Sequence, residues 1–205
     1  MDHNNILAVV LAGGKSKRFG RDKSQVKLGN KILIDYILSE IIDFYKDILI
    51  VTNEPIKFLT SSKISVTSDI KKGLGPLGGV YSAMKWVKDN KKDYKWISTF
   101  PTDTPFFKKN NLSKFYEKIN LNESNLFFIK SKNTRHNIFG LWSLELFEKL
   151  EQSLDKGDRK VEFWANENGV KIIDFEYENN KDPFFNINTE KDFEIAKKLL
   201  KDDQL

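Results

Sequence analysis

Cysteine is absent from this chain, and histidine occurs only at His3 and His136. The first absence excludes a disulfide framework, a thiolate nucleophile and any cysteine-based zinc or iron–sulfur site. Two histidines so far apart offer no His-rich metal site. Arginine is scarce as well, since of 34 basic residues only Arg18, Arg21, Arg135 and Arg159 are arginine. The net charge of +5 is therefore carried by lysines scattered among 29 acidic residues. That distribution suits a solvated surface better than a nucleic-acid-reading face, so no direct nucleic-acid partner is expected. No run approaches the roughly 20 apolar residues of a membrane span. The first residues hold no basic segment leading into an apolar stretch with a cleavage site. No membrane association is expected, and a cytoplasmic location is.

What is present is ample apolar material. Hydrophobic residues make up 40% of 205 residues against 31% charged, enough to bury one core in a single domain spanning 1–205. The organising stretch is Ile6-Leu7-Ala8-Val9-Val10-Leu11, which runs on through Ala12-Gly13-Gly14-Lys15-Ser16-Lys17-Arg18-Phe19-Gly20-Arg21-Asp22-Lys23. The apolar run, rich in branched types, predicts a strand buried on both faces. Gly13 and Gly14 admit backbone N–H groups close to an anion, and the cationic side chains that follow supply countercharge. Such a loop suits phosphate, although an ordinary strand-to-helix turn with solvated charges has the same composition.

Further along, apolar spacing predicts an amphipathic helix over 31–43. Strands are predicted over 48–51 and 64–67, the first closed by Thr52-Asn53-Glu54-Pro55 and the second by Ser68-Asp69. Four glycines in seven residues, Gly73-Leu74-Gly75-Pro76-Leu77-Gly78-Gly79, precede a helical segment through Val87. A strand over 96–100 runs into Pro101-Thr102-Asp103-Thr104-Pro105. Helices are predicted near 111–119, 144–152 and 160–168, and strands over 126–130, 138–142 and 170–175. Thr189, with Asp192 three residues on, is an N-cap for a last helix. Alternation of this kind implies a three-layer α/β/α sandwich with a mostly parallel, Rossmann-like central sheet. Ligands bind such sheets beyond the carboxyl ends of the strands, where Gly13, Asn53, Asp69 and Asp103 all fall.

Two familiar motifs fail their context. Gly14-Lys15-Ser16 resembles the end of a Walker A loop, but the glycine that loop requires is Val9 here. Gly73 to Gly78 matches G-x-G-x-x-G but does not turn directly off a strand. Other positions keep two readings. Asp103 is either a Mg²⁺ ligand or a turn former. Asp69 contacts a ribose or metal, or makes an Asx turn. Asn53 bonds a base or ribose, or serves as a turn residue, and Lys23 is either a phosphate contact or half of a solvated pair with Asp22. Arg135-His136 and Asp158-Arg159-Lys160 reach an anionic acceptor or lie on the surface. The pairs Phe106-Phe107, Phe127-Phe128 and Phe184-Phe185 read as core or turn packing.

Taken in series, the motifs resemble those of the molybdenum cofactor guanylyltransferases, the MobA family, within the nucleotidyltransferases of glycosyltransferase-A-like fold. The matching residues are Leu11 to Lys23, then Gly75-Pro76-Leu77-Gly78-Gly79, Pro101 to Phe106, Arg135-His136 with Phe139-Gly140-Leu141-Trp142, and Asn186-Ile187-Asn188-Thr189-Glu190. Three positions depart from the family pattern: Thr102 stands where cysteine is common, Asn137 where proline is common, and Arg21 where glycine is frequent.

The resemblance implies a nucleotide-diphospho-sugar transferase-like fold and the transfer of GMP from GTP to the terminal phosphate of Mo-molybdopterin. It implies GTP contacts at Leu11, Ala12, Gly13, Gly14, Lys23, Asn53, Asp69 and Asp103. Mg²⁺ would sit on Asp103, with Lys15, Arg18 and Lys23 offsetting charge on the leaving pyrophosphate. Arg135, Asn186 and Asn188 would face the acceptor. Proteins that donate molybdopterin or receive the product are implied as partners. The alternatives are a molybdopterin cytidylyltransferase, a sugar-phosphate or isoprenoid-phosphate nucleotidyltransferase, or a non-catalytic nucleotide-binding or nucleic-acid-associated protein.

Overall fold

The computed structural model describes residues 3–13, 26–71, 73–177 and 182–202. Gly14, Lys15, Arg18 and Lys23 thus lie outside the described residues. A 3-10 turn at His3–Asn5 leads into β1 (Ile6–Leu11), and a small hairpin of β2 (Lys27–Leu28) and β3 (Lys31–Ile32) precedes α1 (Leu33–Ile41). Then come β4 (Ile48–Val51), β5 (Ile64–Thr67), α2 (Gly75–Asp89), β6 (Trp96–Pro101) and α3 (Lys109–Glu117). The chain continues through β7 (Leu126–Ser131), β8 (Thr134–Ser143), a 3-10 turn (Leu144–Leu146) and α4 (Phe147–Lys156). It ends in α5 (Val161–Glu167), β9 (Lys171–Phe175) and α6 (Glu190–Asp202).

Seven strands form one sheet in the order β5-β4-β1-β6-β8-β7-β9. The pairings β5 with β4, β4 with β1, β1 with β6, and β7 with β9 are parallel. Only β8 runs against its neighbours β6 and β7. Alternate residues of β1 serve opposite layers, as a strand's period of two requires. Leu7 and Val9 pack with Leu77, Val80 and Met84 of α2 and with Trp164 of α5. Ile6, Ala8 and Val10 pack with Ile34, Ile37 and Leu38 of α1 and Phe115 of α3. Helices thus cover both faces, giving the expected three layers. A third cluster, built from Val26, Leu28, Leu33, Phe106, Ile187, Phe193 and Ala196, ties the β2–β3 hairpin to α6.

Several elements differ from the sequence expectation, among them α3, which starts and ends two residues earlier. The first helix starts two residues late because Lys31 and Ile32 pair with Leu28 and Lys27, a bond set that competes with the helix start. β8 begins at Thr134 because a two-residue turn at Lys132-Asn133 lets its polar start pair with β7, Ser131 opposite Thr134. The segment from 144 opens as a 3-10 turn, with the Ser143 hydroxyl accepting from Glu145 N at 3.2 Å. No helix among the described residues is long and apolar enough to cross a membrane.

Candidate active site

The chain winds from β1 outward through β4 to β5, then returns to place β6 on the other side of β1. In sheets of this kind such a reversal marks where a ligand crevice lies, here past the carboxyl ends of β1 and β6. Leu11 and Pro101 are paired across these strands, so their backbones run about 5 Å apart. Gly13 and Asp103 follow two residues later on each side. By register, Gly13 and the proline-flanked aspartate therefore leave neighbouring strand ends.

The neighbouring loops are bonded to the same rim. Ala12 N donates to Val51 O at 2.9 Å, and Thr52 N donates to Thr67 O at 3.0 Å, extending the ladder beyond β4. Asn53 Oδ1 accepts from Asp69 N at 3.1 Å. Asn53 therefore cross-links the loops after β4 and β5 and is more than a local turn former.

Asp69 is half-buried against α2. The Ser82 hydroxyl lies 3.1 Å from Asp69 Oδ1 and 2.8 Å from Gly78 O, and it accepts from Ile70 N at 2.9 Å. Burial pushes the Asp69 carboxyl above its ordinary range, and the Ser82 hydroxyl and the Lys71 N–H pull it partway back. Gly78 is what lets the loop come this close. A Cβ there would stand 2.9 Å from Leu74 Cβ, 3.2 Å from Lys71 O and 3.3 Å from Asp69 Oδ1. One Cβ on Gly79 would meet Leu11 Cδ2 at 3.0 Å. These glycines seat α2 against β1 and the Asp69 loop, with Pro76 in the helix's first turn.

Asp103 sits on the loop between Pro101 and Pro105, with one carboxylate oxygen shielded from solvent. Its carbonyl accepts from Ile187 N at 2.9 Å. Ile187 is wholly buried, while Asn186 and Asn188 on either side are exposed. The segment carrying both asparagines is thus tied to the Asp103 loop. The start of α6 is fixed as the sequence implied, because Thr189 N donates to Asp192 Oδ2 at 2.8 Å and Asp192 N to Thr189 Oγ1 at 3.2 Å, a reciprocal cap.

Because β8 is antiparallel to β6, its first residues lie at the same sheet edge as Asp103. Arg135 Nη1 donates to Asn166 Oδ1 at 2.7 Å, and its guanidinium lies 5.2 Å from the Phe128 ring centre. Its Nε and Nη2 are shielded from solvent and have no hydrogen-bond partner among the described residues. Burial lowers the Arg135 pKa, with Glu162 opposing. His136 stacks against Phe184 and bonds Ser131 Oγ at 2.7 Å through Nε2. Burial lowers its pKa, with Asp182 opposing, and the ring is half-buried. Arg159 is exposed and donates to Asp158 O at 2.9 Å. The carbonyl of Arg159 borders the start of α2, 4.0 Å from where a Gly75 Cβ would lie.

Sequence reasoning did not single out Ser82, Gly78 as a packing residue, or Ile187 as the anchor of Asp103. Ser82 carries no local signal, being one more small residue in a helix. The Ile187 signal was visible only as an apolar residue between two asparagines.

A three-layer fold whose sheet reverses its winding beside Gly13, Asp69 and Asp103 has the architecture of the nucleotidyltransferases. The structure is similar to that of molybdopterin-guanine dinucleotide biosynthesis protein A from Archaeoglobus fulgidus, with a TM-score of 0.73 and 21% identity over 96% of this chain and 99% of that one. It is also similar to 2-C-methyl-D-erythritol 4-phosphate cytidylyltransferase from Francisella tularensis, with a TM-score of 0.69 and 18% identity over 94% and 98%. At these identities the likeness establishes the fold. Residues 8–170 match the MobA-like NTP transferase domain, and the chain belongs to that family. Similar proteins include the molybdenum cofactor guanylyltransferases of Haemophilus influenzae strain 86-028NP, 32% identical over 90% of this chain and 93% of that protein, and Nitrobacter hamburgensis, 27% identical over 93% and 92%.

Proposed function

We propose that the protein transfers GMP from GTP to the terminal phosphate of Mo-molybdopterin and releases pyrophosphate. In this reading an acceptor phosphate oxygen attacks the α-phosphorus while the bond from that phosphorus to the bridging oxygen of pyrophosphate breaks. The observation that carries it is the adjacency of the Gly13 turn and Asp103 across the Leu11–Pro101 pair, in a chain whose relatives are named guanylyltransferases. Leu11, Ala12, Gly13, Asn53 and Asp69 line the rim on which GTP would lie. Gly14, Lys15, Arg18 and Lys23 would complete the phosphate side, neutralising charge as pyrophosphate leaves. Transfer of this kind asks for positioning and charge, with no covalent group on the protein.

Among the described residues no cluster of three or more metal-ligating side chains exists. Asp103 alone, at a rim shared with phosphates, fits Mg²⁺, which keeps most of its coordination for water and substrate oxygens. When bound, the ion supplies positive charge to those oxygens. Arg135 would supply positive charge on the acceptor side, and Asn186 and Asn188, on the segment tied to the Asp103 loop, would flank the acceptor. The test is incubation with α-labelled GTP, Mg²⁺ and molybdopterin, followed by isolation of a labelled pterin dinucleotide. Asp103→Asn is expected to abolish that product with the fold intact. Wild-type turnover in the variant, or displacement of bound GTP by equal CTP, would refute the reading.

A further inference from the structure

Ser82 is wholly buried in α2, yet its hydroxyl faces the nucleotide rim through Asp69. A helix serine routinely bonds the carbonyl four residues back, and the 2.8 Å contact with Gly78 O is that bond. The other two contacts are not routine. By accepting from Ile70 N and lying against Asp69 Oδ1, the hydroxyl grips two consecutive residues of the loop after β5. From the opposite side, Asn53 Oδ1 holds Asp69 N. Asp69 is thereby held at its backbone by Asn53 and at its carboxylate by the Ser82 hydroxyl and the Lys71 N–H, with the serine on Oδ1.

We infer that Ser82 is a positioning residue for nucleotide binding, orienting the Asp69 carboxylate so that its other oxygen accepts N–H or O–H donors of the nucleotide. This rests on the reading of Asp69 as a nucleotide contact. The serine's single proton has two acceptors in reach, Asp69 Oδ1 and Gly78 O. Given to Asp69, it steadies the ionised form that burial disfavours. Without the serine, burial is opposed by the Lys71 N–H alone, so the aspartate would take up a proton at higher pH and turn acceptor into donor.

The test measures GTP binding by calorimetry, and GTP kinetics, on the full chain for wild type, Ser82→Ala, Asp69→Asn and the double variant. Ser82→Ala is expected to weaken GTP binding roughly ten-fold, the size of a lost bond to a charged group. KM for GTP should rise by more than kcat falls. On the acid side, GTP affinity should fail at a higher pH than in wild type, which a purely structural role would not produce. The double variant should bind no more weakly than Asp69→Asn. Should Ser82→Ala fail to fold, Ser82→Cys fills the same space with a weak donor and undergoes the same comparison.

Wild-type affinity in Ser82→Ala, with Asp69→Asn impaired, overturns the inference and leaves the nucleotide reading standing. Additive losses in the double variant overturn it too, because the serine would then act independently of Asp69. Wild-type affinity in Asp69→Asn overturns both the inference and the nucleotide assignment of Asp69.

Discussion

Asp69 shows how a candidate site residue can work against the stability of its own fold. Its carboxyl is raised by burial, so the folded chain holds that proton more tightly than the unfolded chain does. The stability linked to it is present at low pH and lost as pH rises through the folded value. At neutral pH the ionised group is a cost. Asp69→Asn should therefore melt higher than wild type near pH 7, and the difference should shrink as pH falls to about 4. An equal gain at both pH values, read by thermal denaturation, would show that burial is not the cause. The same variant should lose GTP affinity, a trade of function for stability. Sequence alone placed Asp69 after a strand, but its burial depends on Ser82 and Gly78, which belong to a helix packed from another layer.

At the scale of elements, three helices end in the same way. Past α4 and α5 the chain turns through Gly157 at φ 102° and Gly169 at φ 71°. Past α2 the corresponding residue is Lys91 at φ 50°, with Lys91 N donating to Lys88 O and Lys92 N to Val87 O, both at 3.1 Å. This pairing of the last carbonyls favours glycine at the left-handed position, and a Cβ there costs about 1 kcal/mol. Lys91→Gly should raise stability by about that amount in urea denaturation, and Lys91→Ala should not, since it keeps the Cβ. The strands over 48–51 and 64–67 were legible from short apolar runs between turn signals. β2, β3 and the polar start of β8 were not, because two-residue strands and half-buried polar strands carry no period to read.

At the scale of the whole molecule, the segment before α6 anchors the Asp103 loop. The family match covers residues 8–170, yet Ile187 N bonds Asp103 O at 2.9 Å and the Ile187 side chain sits in the cluster with Phe106 and Phe193. Ile187→Ala should destabilise the fold by about 2–5 kcal/mol through the cavity it leaves. It should also lower turnover by freeing the Asp103 loop, measured by chemical denaturation alongside product formation. Undiminished turnover in a destabilised variant would separate the anchor from the chemistry. The aromatic pairs read as packing are that: Phe107, Phe139 and Phe184 pack edge and face behind the same loop.

By itself the amino-acid order determined the elements and the chemistry on their ends, because apolar period, glycine and proline act over a few residues. It placed a diglycine turn after β1 and an aspartate after β6. Only the tertiary structure decided that β1 and β6 are neighbours, that Ser82 stands behind Asp69 and that Ile187 holds Asp103. Those contacts are set by the winding of the sheet and the closeness with which helices pack on it. No local pattern in the chain encodes either.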